Sequence, residues 1–421
     1  MDRRKFIQGA GAACGLMIVK PSVAFSYAAN STVQYGLLGC GNRGTSVATS
    51  FARNTQARIV ALGDIFPDKL ATGKQHFDQV NASLGFAPID PKLTFHGWEA
   101  YKEMAANPHI DAVQISTPPF FHVEHMDVLS AGGKHVYCEK PVGVDIPQTK
   151  RALAIAKRID GKVSASVGFQ IRSAPPFIEI VKRINAGQIG KIASLAGWYN
   201  SPAAMYPDRG NMPHDEQRLR NWLWDKKISG DILLEQNIHV IDICNWVMGT
   251  HPVKATARAS RKVIQNFGDI NDNYEVIFEY PGGVEFVFNS TQFNARGYFD
   301  VKETFFGSQG IAEMPYKGPL RIQGQTPWTW TDTNAQHGDT KFAADGAFSD
   351  NLADADKMKD RSFIESITNN KFQNQIATGV ETARSCILGR KAAETGRTVT
   401  WQEIEADTEA YELGIDIKQF V

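Results

Sequence analysis

Short apolar runs alternate with amphipathic segments from about residue 33 to residue 170. VQYGLLG, ARIVALGD and DAVQISTPP have the length and the nearly continuous apolar character of buried strands. GTSVATSFARN and IPQTKRALAIAKRID, between and after them, have the spacing of amphipathic helices. Strands that alternate with helices indicate βαβ units. We therefore predict an α/β domain over residues 31–170, with the doubly wound parallel sheet of a Rossmann fold.

The pattern changes after about Pro176. NYEVIFEY, GVEFVFNST and FDVKETFFG alternate apolar and polar residues with period two, which is typical of an open, mostly antiparallel sheet with one covered face. One helix is predicted early in this series, over residues 231–248, and two more close the chain. We predict an α+β domain for substrate binding and oligomerisation over residues 171–421. The last helices of this domain could pack back on the first domain. The polar stretch from Gly324 to Asp356 is predicted as a long surface excursion.

Residues 1–30 have the layout of an export signal. Arg3 and Arg4 form a twin-arginine pattern, a Gly/Ala-rich apolar run follows, and Ala28 lies among the small residues that a signal peptidase needs. A short amphipathic helix is the alternative, but the run is rich in glycine and too short for a stable membrane span. We predict a Tat signal peptide, transient contact with the Tat translocase, and a periplasmic or otherwise exported mature protein.

Composition narrows the class of partner. The chain has 421 residues, 45 basic and 45 acidic, so bulk charge gives no reason to expect a nucleic-acid partner. The five cysteines are widely spaced, which argues against a structural metal site and a disulfide framework.

A dinucleotide site is predicted where the first strand meets the first helix. Gly39-Cys40-Gly41-Asn42-Arg43-Gly44 is a GxGxxG turn, in which glycines allow a tight turn and a close approach of backbone N–H groups to a pyrophosphate. Asp64 ends the next strand, 20 residues after Gly44, and its carboxylate can accept hydrogen bonds from ribose hydroxyls. The same carboxylate would repel a 2′-phosphate. We therefore expect NAD rather than NADP, with Lys69 as the nearby cation that could reverse this preference.

Three further motifs carry a family resemblance: ISTPPFFH at residues 115–122, CEKP at 138–141, and SGDILLEQNIHVIDICNWVMG at 229–249. Together with the glycine turn, and in this order, they resemble the glucose–fructose oxidoreductase/inositol dehydrogenase (Gfo/Idh/MocA) family from about Val33 to about Trp401. The turn and the resemblance together give the cofactor-binding residues we expect: Gly39, Gly41, Asn42, Arg43, Gly44, Asp64, Ser116, Thr117, Pro118, His122, Glu139, Lys140 and Gln170.

The resemblance implies that Lys140 lies beside the nicotinamide and the substrate. It also implies that His239 takes the hydroxyl proton of the substrate, a role that suits an imidazole near neutral pH. Glu235 stands four residues before His239, so the two share a face of the predicted helix. The family usually has Asp at the position of Glu235. This residue could orient His239, bind substrate, or act in acid/base chemistry.

The substrate wall is predicted from aromatic and charged residues that suit polyols and sugars. Asp242 is a further candidate, which could orient His239 or only stabilise local structure. The other candidates are Arg172, Tyr206, Arg209, Arg220, Trp222 and Trp224.

Three functions remain open at this point. The first is a nicotinamide-dependent oxidoreductase for a hydroxyl of a sugar, glycoside or cyclitol. The second is a glycosidase of the same family, which oxidises its sugar only transiently. The third is a sugar sensor that binds a dinucleotide without catalysis. The Tat route carries folded proteins, so we expect a tightly held cofactor, and we expect a homo-oligomer.

Overall fold

A computed structural model of the chain describes residues 32–202, 206–207, 210–295, 297–331 and 350–420. The predicted signal peptide and Arg209 lie outside the described residues. None of the described helices combines the length and the apolar composition that a membrane crossing requires.

The first sheet is parallel and has the strand order β3-β2-β1-β4-β5-β6. This arrangement confirms the predicted Rossmann-type domain. Its strands are β1 Val33–Leu38, β2 Ala57–Asp64, β3 Thr94–His96, β4 Ala112–Ile115, β5 His135–Cys138 and β6 Ala165–Val167. Its helices are α1 Asn42–Asn54, α2 Pro67–Ser83, α3 Ala100–Ala106, α4 His122–Ala131 and α5 Ile146–Ile159.

Local sequence sets where these helices begin. Pro67 is the first residue of α2, where its missing N–H costs no helical hydrogen bond. Asp145 caps α5, because its carboxylate accepts a hydrogen bond from the backbone N–H of Gln148 at 2.8 Å.

The second sheet has the order β14-β13-β12-β11-β7-β10-β9-β8-β15. It is antiparallel except where β10 runs parallel to β7, so the predicted mostly antiparallel sheet is confirmed. Its strands are β7 Ile192–Pro202, β8 Lys254–Ser260, β9 Asn273–Tyr280, β10 Val284–Asn294, β11 Asp300–Gly307, β12 Gly310–Pro315, β13 Arg321–Gly324, β14 Trp328–Thr329 and β15 Val399–Thr400. The helices after the first domain are α6 Pro175–Asn185, α7 His214–Arg220, α8 Lys226–Ser229, α9 Ile232–Glu235, α10 Ile238–Met248, α11 Ala355–Thr368, α12 Ile376–Thr395 and α13 Trp401–Ala406.

Strand β9 shows how one face of this sheet is covered. Tyr274, Val276 and Phe278 are buried, whereas Glu275 and Ile277 between them are exposed. The period-two pattern of the sequence therefore reflects a sheet with one covered face.

The single helix predicted over residues 231–248 is wrong, because the chain forms two helices there. Asp231 has φ 76°, and its carboxylate is fixed by the Tyr274 hydroxyl at 2.8 Å. At the junction, the N–H of Asn237 bonds to the carbonyl of Ile232, five residues back, and the N–H of His239 points to the carbonyl of Gln236. The regular i→i−4 ladder is therefore interrupted between α9 and α10.

The C-terminal helices pack against the first domain. Phe363 of α11 lies 6.0 Å from Phe51 and 6.2 Å from Tyr137, ring centroid to centroid, inside the core of the parallel sheet. Arg390 of α12 is buried and donates to the carbonyls of Val144 at 2.9 Å and Gly230 at 2.7 Å. Arg390 thus joins the segment that follows β5 to the loop that precedes α9.

Glu303 of β11 is an unusual core residue. It is 0% exposed, and within the described structure neither of its carboxylate oxygens has a hydrogen-bond partner. The hydroxyl of Tyr316 nearby is also buried without one. Burial raises the pKa of Glu303 well above its usual value, and the negative charge of Asp242 adds to this shift. Burial therefore favours the neutral acid form of Glu303 in the folded protein.

We predict that Glu303→Gln changes the pH dependence of stability. The folded protein keeps the Glu303 proton while the unfolded chain loses it near its usual pKa, about 4.3. The stabilising effect is thus complete below that pKa and is lost as pH rises, at up to about 1.4 kcal/mol per pH unit. The thermal midpoint of the wild type should fall relative to that of Glu303→Gln between pH 5 and pH 8. A difference between the two midpoints that stays constant over this range would show that Glu303 ionises normally.

Candidate active site

The glycine turn has open space at its middle glycine, Gly41. A Cβ on Gly39, which has φ +95°, would lie 2.5 Å from the carbonyl oxygen of Ser116, and one on Gly44 would lie 2.1 Å from that of Gly39. A Cβ on Gly41 would meet no described atom within 4 Å. Helix α1 begins at Asn42, and no described side chain caps its first N–H groups. This open helix N-terminus fits the pyrophosphate of a dinucleotide.

Asp64 connects the two loops that flank this opening. Its Oδ2 accepts a hydrogen bond from the N–H of Cys40 at 2.7 Å, and its Oδ1 accepts one from the N–H of Phe66 at 2.9 Å. Burial raises the pKa of Asp64, and these two donors oppose that shift. Each oxygen keeps a second lone pair, so the carboxylate is placed and able to accept ribose hydroxyls.

The loops after β4 and β5 are joined by His122. Its Nδ1 lies 2.8 Å from the carbonyl oxygen of Pro141, and its Nε2 lies 2.7 Å from that of Thr117. Burial lowers the pKa of His122, and the contacts with these two carbonyls oppose that shift. His122, predicted as a cofactor residue, is 1% exposed and fixes the STP loop to the EKP loop. The Lys140–Pro141 peptide in the EKP loop is cis.

Arg43 of the glycine turn belongs to a charge network. Its Nε lies 3.1 Å from Glu139, and its two terminal nitrogens each lie 3.2 Å from an oxygen of Asp356. Lys359 lies 2.7 Å from the same carboxylate. Arg43 and Lys359 together hold the pKa of Asp356 far below its usual range, against the opposing effect of burial. Sequence reasoning missed Asp356 and Lys359, because they belong to no motif and lie at the end of a polar stretch.

Lys140 is bonded to the end of α9. Its Nζ lies 2.8 Å from Oε1 of Glu235 and also donates to the backbone carbonyl of Glu235, and both side chains are 12% exposed. In a continuous helix, the N–H of His239 would occupy that carbonyl. The break between α9 and α10 therefore frees the acceptor that Lys140 uses.

His239 shares this space with Lys140. Its Nδ1 is buried and has no hydrogen-bond partner among the described residues, and Phe169 lies edge-on at 6.3 Å. Burial lowers the pKa of His239 well below its usual value, and the positive charges of Lys140 and then Arg43 lower it further, while Asp356 opposes them. The imidazole is thus neutral at neutral pH and able to accept a proton.

Asp242 does not orient His239 by a hydrogen bond. Its carboxylate binds Arg172 through two contacts, 2.7 and 2.9 Å long, and accepts a third bond from Thr382 at 2.8 Å. Asp242 is 1% exposed. Its bonds to Arg172 and Thr382 stabilise local structure. Arg172 also lies over the ring of Trp246 at 5.5 Å.

The remaining predicted substrate residues lie in two other places. Tyr206 stacks on Phe267 at 4.0 Å, and Trp224 is buried beside both rings. Arg220 and Trp222 instead lie near Phe66, beyond the end of β2. Substrate contact by these residues stays a prediction, as do the cofactor contacts of Ser116, Thr117, Pro118 and Gln170, which follow the ends of β4 and β6.

Two family models match the chain. Residues 33–168 match an oxidoreductase family model with an NAD-binding Rossmann fold, and residues 177–313 match a GFO/IDH/MocA C-terminal domain. The chain belongs to the GFO/IDH/MocA oxidoreductase family. This confirms the resemblance inferred from the four sequence motifs, and with it an NAD-binding oxidoreductase.

Individual relatives share less than a third of their residues with this chain. Inositol 2-dehydrogenase of Rhizobium meliloti is 27% identical over 296 residues, which cover 69% of this chain and 78% of that protein. A levoglucosan dehydrogenase solved with NADH and levoglucosan superimposes with TM-score 0.68 and 18% identity, over 88% of this chain and 99% of that one. An aldose–aldose oxidoreductase of Caulobacter crescentus, solved with glycerol, has TM-score 0.65 and 21% identity over the same shares. At these identities the two solved structures establish a shared fold.

We predict that the acidic limb of the pH–rate profile lies well below pH 6.5. His239 must be neutral to accept a proton, and its lowered pKa keeps it neutral until the pH falls far below the usual histidine range. In hydroxyl oxidation, kcat/KM should therefore stay level from pH 8 to pH 6.5.

His239→Asn removes the proposed base. Its kcat should fall by about 10²–10⁴-fold, the range typical of a lost general base. His251→Asn, at a histidine stacked on Trp401, is the control. An acidic limb with a midpoint at or above pH 6.5 that disappears in His239→Asn would contradict the lowered pKa of His239. A kcat in His239→Asn equal to that of the wild type would contradict its role as the base.

Proposed function

We propose that this protein is an exported, NAD-dependent oxidoreductase that acts on a hydroxyl group of a sugar, glycoside or cyclitol and retains its cofactor. The observation that carries the proposal is the Lys140–Glu235 pair beside a neutral His239, at the carboxyl edge of the parallel sheet. The inositol dehydrogenase and levoglucosan dehydrogenase relatives support the class of substrate.

The residues divide the proton chemistry between them. Lys140 has three N–H donors, and two are used by Glu235, so the third is left for the oxygen of the substrate. That hydrogen bond stabilises the negative charge that grows on the oxygen as its proton leaves. His239 accepts the hydroxyl proton. When bound, NAD supplies the hydride acceptor.

The contact of Glu235 with Lys140 indicates one role for its carboxylate. Its carboxylate binds Lys140 directly, so it fixes the position of the ammonium group and neutralises part of its charge. We therefore assign it as a positioning residue for Lys140, in place of the three roles that the sequence left open.

The preference for NAD over NADP rests on Asp64 and on the carboxylate partners of Arg220. Arg220 approaches the β2 end, but its guanidinium is already bound to Asp68, at 3.0 and 2.7 Å, and to Glu216 at 2.7 Å. An arginine with two carboxylate partners is a poor site for a 2′-phosphate, and Asp64 repels one.

The export proposal rests on Arg3 and Arg4, and it explains why a retained cofactor matters. Free NAD is scarce outside the cytoplasm, so the redox cycle must close within the site, on the same sugar or on a second one. The fold shared with an aldose–aldose oxidoreductase is consistent with such a cycle.

We also infer that two copies pair through the open face of the second sheet. Ile277 and Val287 on adjacent strands are 46% and 52% exposed, and Phe306 and Ile311 lie exposed further along the same sheet. Apolar side chains grouped on a sheet face mark an interaction surface.

A single assay separates the possible functions. Purified protein is incubated with NAD and a panel of glycosides and cyclitols, while NADH absorbance and aglycone release are both followed. We expect bound NADH to form, up to one equivalent per site, and a keto sugar to accumulate when an acceptor sugar is added. Lys140→Met should lower this turnover at least about 100-fold, and Lys162→Met, at an exposed lysine, should leave it unchanged.

Two results would contradict the proposal. Aglycone release without net NADH would indicate a glycosidase with transient oxidation. Binding of both NAD and a sugar, with no turnover on any substrate of the panel, would indicate a sensor.

A further inference from the structure

The two halves of the parallel sheet receive different parts of a dinucleotide. The strand order reverses between β1 and β4, and in such sheets the ligand lies across that point, at the carboxyl ends of the strands. Asp64 ends β2, so the β2 side receives the adenosine, while Lys140 follows β5 on the other side. Phe66, two residues past Asp64, therefore stands at the adenosine end.

Phe66 is covered by two segments from far along the chain. The guanidinium of Arg220, the last residue of α7, lies 3.8 Å from the centre of the Phe66 ring. The same guanidinium binds Asp68, at the start of α2, through two hydrogen bonds. The ring of Phe420 meets Phe66 edge-on at 6.0 Å. The carbonyl of Phe420 also accepts a hydrogen bond from the N–H of Trp98 at 3.1 Å.

These two segments are bonded to one another. Arg218 of α7 donates to the carbonyls of Leu413 at 3.0 Å and Gly414 at 3.2 Å. Gln419 donates to Asp215 at 3.2 Å. Helix α7 and the C-terminal tail therefore form one layer over the end of β2.

The layer also contacts the loop that follows β4, on the other side of the point where the strand order reverses. Leu413, Ile415 and Ile417 of the tail belong to the same apolar cluster as Phe66, and so do Phe120 and Phe121, which follow β4. The cluster spans the two loops between which the adenosine half of a dinucleotide enters. These contacts therefore lie beside the position expected for the adenosine half.

We propose that α7 and residues 411–420, together called the adenosine strap, retain the dinucleotide by slowing its release. This inference rests on the proposed function, because it assumes a bound cofactor. Opening the strap breaks the two Arg220–Asp68 hydrogen bonds and exposes Phe66 and Phe420 to water. The strap supplies a physical basis for cofactor retention by an exported enzyme, and it assigns Arg220 to the cofactor rather than to the substrate.

The test measures release of NADH and of ADP-ribose, which has the adenosine half without the nicotinamide. Dissociation is followed by displacement, through NADH fluorescence and with labelled ADP-ribose. Phe420→Ala and Arg220→Gln should each raise both dissociation rate constants at least tenfold. Both ligands should also protect residues 411–420 from limited proteolysis in the wild type.

Tyr298→Ala and Arg397→Gln, at an exposed tyrosine and an exposed arginine away from the strap, are the matched controls. Dissociation rate constants within twofold of the wild type in both strap variants would overturn the strap while leaving the proposed function intact, provided that the wild type turns over. If the wild type binds neither NADH nor ADP-ribose, the proposed function and the strap both fail. An equal acceleration in the control variants would overturn the strap alone.

Discussion

The candidate site depends on one ion pair, Lys140–Glu235, which joins the end of a strand in the first domain to the end of a helix in the second. Both side chains are mostly buried, and removing either would leave the other as an unpaired charge, which commonly costs a protein about 3–5 kcal/mol. The pair therefore holds the two domains in one relative position at this edge. It forms because the helix ends at Glu235, where the freed backbone carbonyl gives Lys140 a second acceptor.

The same pair sets the electrostatics of the site. Lys140 and Arg43 place positive charge near His239, and burial removes the water that would stabilise an imidazolium. Asp356 and Glu139 hold Arg43, so the glycine turn, the EKP loop and α11 belong to one connected network. A neutral base beside an ammonium group suits the removal of a proton from a hydroxyl whose oxygen accepts a hydrogen bond.

The sequence was sufficient for the parallel sheet and for the glycine turn, because buried strands and close backbone approaches leave a direct mark on residue type. It predicted the period of β9 for the same reason. It failed at residues 231–248, where helical spacing continues through Gln236 and Asn237 although the hydrogen-bond ladder does not. It also missed Asp356, since a partner brought in from 313 residues away has no local pattern. Local conflict with regular structure is common at functional sites.

We propose that Lys140 and His239 assist loss of the hydroxyl proton while hydride leaves the same carbon. The most direct measurement is single-turnover NADH formation by wild type and His239→Asn, with a substrate deuterated at the reacting carbon, across a range of pH. We expect a primary isotope effect in both. The wild-type rate should not vary with pH near neutrality, whereas the slower variant should speed up as hydroxide replaces the base. Equal rates and equal pH dependence in the two proteins would show that His239 does not accept the hydroxyl proton.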